Sequence, residues 1–112
     1  MMNRFGKLPF PEATPLEVAE KLKTSQPLVL DVREPWEYDE GHITGSALVP
    51  LGQLPKHLSE IGSPDQEIIA VCRSGGRSGQ ATMFLMQSGY TNVTNMAGGM
   101  LAWEQSKLPV EK

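Results

Sequence analysis

A chain of 112 residues is long enough to remove roughly two thirds of its surface from water, which suits a single domain with its own core. Its 39% hydrophobic and 21% charged residues are ordinary for a globular protein, and a formal net charge of −3 argues against a nucleic-acid partner, which would call for a strongly basic face. One cysteine excludes an internal disulfide, no Cys/His cluster has zinc-site spacing, and no apolar run of about eighteen residues could cross a bilayer.

Met1 to Phe10 carries positive charge without an apolar stretch of signal-peptide length, so the cytoplasm is the expected compartment. Thr14-Pro15-Leu16-Glu17 reads as a helix start: Thr as the cap, Pro at the first helical position, Glu where a capping box wants it. That helix should run to about Lys23, with Leu16, Ala19 and Leu22 on its apolar side. Gln26-Pro27 ends it, and Leu28 to Val32 is the next strand candidate. A short helix is expected after Pro35, stopped by Gly41, then a brief strand at Ala47-Leu48-Val49 and a helical turn from Leu54 to Leu58.

Glu67 to Val71 is an apolar run of the kind a buried parallel strand makes. Ser78 to Ser88 carries Ala81, Phe84 and Leu85 at helical spacing before the stop at Gly89, and its methionines 83 and 86 read as packing residues. A strand at Asn92 to Met96 and a last helix from Met100 to about Gln105 complete the pattern. Short apolar strands alternating with helices imply an α/β domain with a mostly parallel sheet of about five short strands, covered on both faces. The domain is expected to span 1–112, with an ordered core from roughly residue 10 to 108 and short tails. In such sheets ligands bind beyond the carboxyl ends of the strands, which is where the lone cysteine falls.

Cys72 sits at the junction of strand and helix in Val71-Cys72-Arg73-Ser74-Gly75-Gly76-Arg77-Ser78. A turn with adjacent glycines can aim its backbone N–H groups at one spot, where the positive end of the following helix also arrives. A thiol held there would be a thiolate, the nucleophilic form. The plain alternative is a strand-end cysteine packed as a small hydrophobe, but a core site would not be built from two arginines and two glycines. Ser78 either donates to the sulfur or serves only as the helix cap.

Three stretches carry a family resemblance. Asp31-Val32-Arg33-Glu34-Pro35-Trp36-Glu37-Tyr38, running on to Gly41-His42-Ile43, resembles the opening signature of rhodanese domains. Cys72 to Ser78 resembles the active-site loop of the single-domain members, and Asn95-Met96-Ala97-Gly98-Gly99-Met100, with Trp103 behind it, is similar to the closing motif. The resemblance implies a three-layer α/β/α fold and thiosulfate sulfurtransferase activity through a persulfide on Cys72, with cyanide or a thiol, a protein thiol included, as acceptor.

On that reading Cys72 is catalytic, and Arg73, Ser74, Gly75, Gly76, Arg77 and Ser78 bind the anionic sulfur donor. Arg73 and Arg77 also stand as the local cations that would draw in a dianion and lower the thiol pKa. Asp31, Arg33 and His42 read as structural support: a strand-end ion pair that pins neighbouring loops, and a histidine satisfied by nearby backbone. Trp36 and Met100 either line the pocket mouth or fill core. No metal or cofactor is called for.

Two other classes share a cysteine at a strand-to-helix loop. Tyrosine phosphatases and arsenate reductases need Cys, five residues, then Arg, so that a guanidinium grips the oxyanion from two sides. Here that position is Ser78, and Arg77 comes one residue early, so the loop should close around a sulfur rather than a tetrahedral phosphate. A persulfide carrier serving a dedicated protein partner shares the chemistry and differs only in its acceptor.

Overall fold

The structure, a computed structural model, describes residues 9–112, so most of the Met1–Phe10 segment lies outside the described residues. Five parallel strands form one sheet in the order β1-β5-β4-β2-β3: β1 (Glu12–Ala13), β2 (Leu28–Asp31), β3 (Ala47–Leu48), β4 (Ile68–Val71) and β5 (Val93–Met96). The helices are α1 (Pro15–Lys23), α2 (Pro35–Asp39), α3 (Gly76–Gln87) and α4 (Gly99–Gln105), with a 3₁₀ segment at Leu51–Glu60.

Side-chain alternation along the central strand β4 divides the core in two. Ile68 and Ala70, followed by Cys72, face one side with Leu54 and Ile61 of the 3₁₀ region and Ala81 and Leu85 of α3. Ile69 and Val71 face the other side with Val18 of α1 and Met100 and Trp103 of α4. Helices thus cover both faces, which is the three-layer α/β/α arrangement and explains why β4 has no polar residue. Cys72 emerges from the carboxyl end of this fully buried strand.

The cap at Thr14 forms as its sequence implies: Glu17 N–H donates to Thr14 Oγ1 at 3.2 Å and Thr14 N–H donates to Glu17 Oε1 at 2.8 Å. The inward stripe of α1 differs from the expectation, however. Leu16 is 61% exposed, whereas Pro15 and Val18 are buried and Ala19 and Leu22 pack behind them. Those four positions follow the i, i+3, i+4, i+7 rule from Pro15, a residue that reads first as a cap signal and not as core.

The same rule selects Ser78, Ala81, Thr82 and Leu85 as the buried face of α3, so Met83 and Met86 are exposed on its outer side and do not pack. The helical turn expected at 54–58 extends over Leu51–Glu60 as 3₁₀ around Pro55, which supplies no N–H for an α-helical bond. Strand β1 has two residues, too few to show any periodicity in the sequence.

Candidate active site

The site is assembled where β4 and β5 end. Val32 N–H donates to Val71 O at 2.9 Å, holding the last residue of β4 against the chain leaving β2. Beyond it the Cys72 carbonyl accepts from Met100 N–H at 2.8 Å and the Arg73 carbonyl from Leu101 N–H at 3.0 Å, so the first turn of α4 fastens the start of the loop. That contact explains Gly99: at φ +58° its backbone lies so close to Cys72 and Arg73 that a Cβ would overlap their carbonyl groups.

The loop then turns through Gly75, which has φ +108°, a conformation L side chains rarely adopt. Its N–H donates to Cys72 Sγ at 3.1 Å. Its carbonyl accepts from Asn95 Nδ2 at 3.2 Å and from Gly79 N–H at 3.0 Å, which fixes the turn from below and starts α3. Ser78, in the first turn of α3, is buried and donates its Oγ to Cys72 Sγ at 3.3 Å. The cap of α3 is Gly75 and not Ser78, so the hydroxyl is used on the sulfur.

Cys72 is 1% exposed. Burial by itself pushes the thiol pKa up, but the Ser78 hydroxyl and the N–H groups of Ser78, Gly75 and Ser74 outweigh it, and the thiol lies below its ordinary range. The donors around the sulfur, at the positive end of α3, favour its thiolate form.

The charged residues fall into different positions. Asp31 and Arg33 form a buried pair: Arg33 Nη2 lies 2.7 Å from Asp31 Oδ2, Nε donates to Oδ1 at 2.9 Å, and Nη2 also donates to the Gly41 carbonyl at 2.9 Å. This ties the end of β2 to the end of the α2 region. His42 Nδ1 lies 2.9 Å from the Tyr38 carbonyl, and its ring stacks on Tyr38 at 3.7 Å between centroids. Arg73 is exposed, with no ion-pair partner among the described residues.

Arg77 donates through Nη1 to Glu37 Oε1 and through Nη2 to Glu37 Oε2, both at 2.8 Å. The guanidinium beside Glu37 holds its carboxyl well down, at about 2, and Glu37 in turn raises Arg77. The cation expected to face a dianionic donor is thus engaged by a carboxylate.

A pocket of about 270 Å³ opens beside the loop, lined in part by Arg33, Trp36, Glu37, Arg73, Met100 and Leu101. Trp36 lines it while 64% exposed, and Met100 lines it while buried in the core, so each of the alternatives left open for these residues holds in part. Glu40 and Glu104 complete its acidic rim.

Two residues escape a reading by motif. Glu37 lies 40 positions from Arg77, and its place three residues after Glu34 signals only a helix start. Asn95 opens the closing motif, yet nothing local tells that its amide would reach Gly75.

A family model described as rhodanese-like domain matches residues 14–106. The chain is 40% identical over 87 residues to a sulfurtransferase of Allochromatium vinosum, covering 78% of this chain and 80% of that one. It is 34% identical over 112 residues to thiosulfate sulfurtransferase 16, chloroplastic, of Arabidopsis thaliana, covering 90% and 93%. A solved rhodanese-related protein of Thermoplasma volcanium superposes with a TM-score of 0.82 at 31% identity, over 91% of this chain and 98% of the other.

Proposed function

The chain belongs to the rhodanese-like domain family, and on that premise we propose that it moves sulfane sulfur from thiosulfate, or a related persulfide donor, to a thiophilic acceptor through a persulfide on Cys72. The observation that carries this reading is the surrounding of Cys72 Sγ: Gly75 N–H at 3.1 Å and Ser78 Oγ at 3.3 Å, at the head of α3. The Cys72 thiolate attacks the outer sulfur of thiosulfate. A bond forms from Sγ to that sulfur, the bond to the sulfonate sulfur breaks, and its electron pair leaves with sulfite.

In the second half the acceptor, cyanide or a thiolate, attacks the outer sulfur of the persulfide. The Sγ–S bond breaks, the thiolate of Cys72 returns, and the product is thiocyanate or a new persulfide. Sulfur moves without any external oxidant or reductant, and the donors that favour the Cys72 thiolate take the place of a general base. On this reading the donors that favour the thiolate, the N–H groups of Ser74, Gly75 and Ser78 and the Ser78 hydroxyl, hold the persulfide as well, with Gly76 continuing the turn and Arg73 the exposed cation beside them. A nucleophile that must stay a free thiol suits a reducing compartment, so we place the protein in the cytoplasm.

A persulfide carrier that hands sulfur to a protein thiol is the second reading, favoured by the exposure of Trp36 and Leu101 on the rim of the pocket next to Arg73. Steady-state kinetics test the shared mechanism. Varying thiosulfate at several fixed acceptor concentrations should give parallel double-reciprocal lines, and Cys72→Ser should have no turnover. Intersecting lines, or a Cys72→Ser variant with native turnover, would remove the two-step covalent route. Turnover with a peptide thiol far above that with cyanide would favour the carrier.

A further inference from the structure

Resting on the reading of Cys72 as nucleophile, we infer that Glu37 sets donor selectivity: by gripping Arg77 it cancels the cation that α3 brings beside the thiol, and so turns the site away from strongly anionic sulfur donors toward those carrying one charge or none. Unpaired, Arg77 would add a full guanidinium charge to the positive end of α3, where an incoming dianion would feel both.

The pair is built to persist. Both terminal guanidinium nitrogens are engaged at 2.8 Å, and Glu37 is buried. Its Oε1 also accepts from Glu34 N–H at 2.9 Å, so the start of α2 holds the carboxylate in place whether or not Arg77 is there. With its carboxyl held near 2, Glu37 is ionised at every pH at which a thiolate could work. Arg77 directly precedes Ser78, whose Oγ reaches Cys72 Sγ at 3.3 Å, so its neutralisation takes place one residue from a group that touches the sulfur. Two opposite charges in contact act at a distance only as a dipole, whose field falls off faster than that of the free cation.

The rest of the site does not replace the lost charge. Arg33 is spent on Asp31, and the exposed Arg73 shares the pocket with Glu40 and Glu104, neither of which has an ion-pair partner among the described residues. The pocket lining thus sets two guanidiniums, Arg33 and Arg73, against three carboxylates, Glu37, Glu40 and Glu104, on a chain of net charge −3. A persulfide group, with one negative charge at most, meets less opposition there than thiosulfate with two.

The test uses the full chain and compares Cys72 alkylation by iodoacetate, an anion, with that by iodoacetamide, its neutral analogue. Glu37→Gln keeps an oxygen for Glu34 N–H while freeing the charge of Arg77. The iodoacetate-to-iodoacetamide rate ratio should rise about fivefold in Glu37→Gln and return to the native value in Glu37→Gln with Arg77→Met. A merely structural role would change both reagents together and leave the ratio alone, so an unchanged or lower ratio in Glu37→Gln overturns the inference.

Should Glu37→Gln not fold, the native protein supplies the test through ionic strength. Its ratio should stay within about twofold between about 0.02 and 0.5 M salt, and a larger fall would reveal an unquenched cation and overturn the inference. Thiosulfate loading of Cys72, weighed in parallel, separates the two claims. A shifted ratio without any sulfur adduct keeps the role of Glu37 and refutes thiosulfate as donor; an adduct with an unshifted ratio does the reverse.

Discussion

At the scale of single residues, the thiol pKa of Cys72 is a contest that hydrogen bonding wins over burial. The Ser78 hydroxyl is the strongest of the groups that lower the thiol pKa, and the residue is buried, so no water replaces it when it is removed. Ser78→Ala should raise the pKa of Cys72 toward the ordinary thiol range and slow alkylation by iodoacetamide at pH 7 by about tenfold, with the profile displaced to higher pH. The sign for stability follows from the same shift. A thiol whose folded pKa is lowered adds stability that is complete above its unfolded pKa and is lost as pH falls through the folded value, so Ser78→Ala should reduce that gain. Gly99 is the other residue with a sharp expectation. Gly99→Ala places a Cβ into the Cys72 and Arg73 carbonyls at positive φ and should cost about 2 to 4 kcal/mol in urea unfolding.

At the scale of elements, the ion pair between Glu37 and Arg77 fastens α2 to α3 across the site. A carboxyl held near 2 instead of 4.5 stabilises the fold fully above pH 4.5, and that contribution is lost as pH falls toward 2. Urea midpoints measured from pH 6 to 2.5 should therefore fall more steeply for the native chain than for Glu37→Gln. The loop also has a definite size. With Ser78 standing where a phosphatase carries its arginine and Arg77 turned onto Glu37, the loop lacks the guanidinium that would grip a phosphate from two sides, and hydrolysis of aryl phosphates should be undetectable. Robust phosphatase activity would contradict the assignment of the loop.

How far such elements are legible in a sequence depends on the range of the contacts that make them. Strands β2, β4 and β5 and helices α1 and α3 follow from local periodicity and caps, and the cysteine loop stands out because glycines and arginines have no place in a core. Strand β1 exists only because β5 offers it an edge, so two residues carry no pattern of their own. Val18 takes the place expected of Leu16 because the helix is oriented by α4 and the sheet. The pairing of Arg77 is invisible for the same reason: its partner lies 40 residues away, and the motif containing each is readable without the other.

At the scale of the whole molecule, five parallel strands bring Cys72, Gly75, Ser78, Asn95 and Gly99 to one end of the sheet, and two covered faces hold them there. The overall charge of −3 opposes anionic donors, so what chemistry the site performs rests on the short-range donors around the sulfur. The most direct measurement is the intact mass of the protein after incubation with thiosulfate. The native chain should gain one sulfur, about 32 daltons, that dithiothreitol removes and that Cys72→Ser never acquires. A native chain that gains no mass, or a Cys72→Ser variant that gains the same mass, would contradict the persulfide on Cys72.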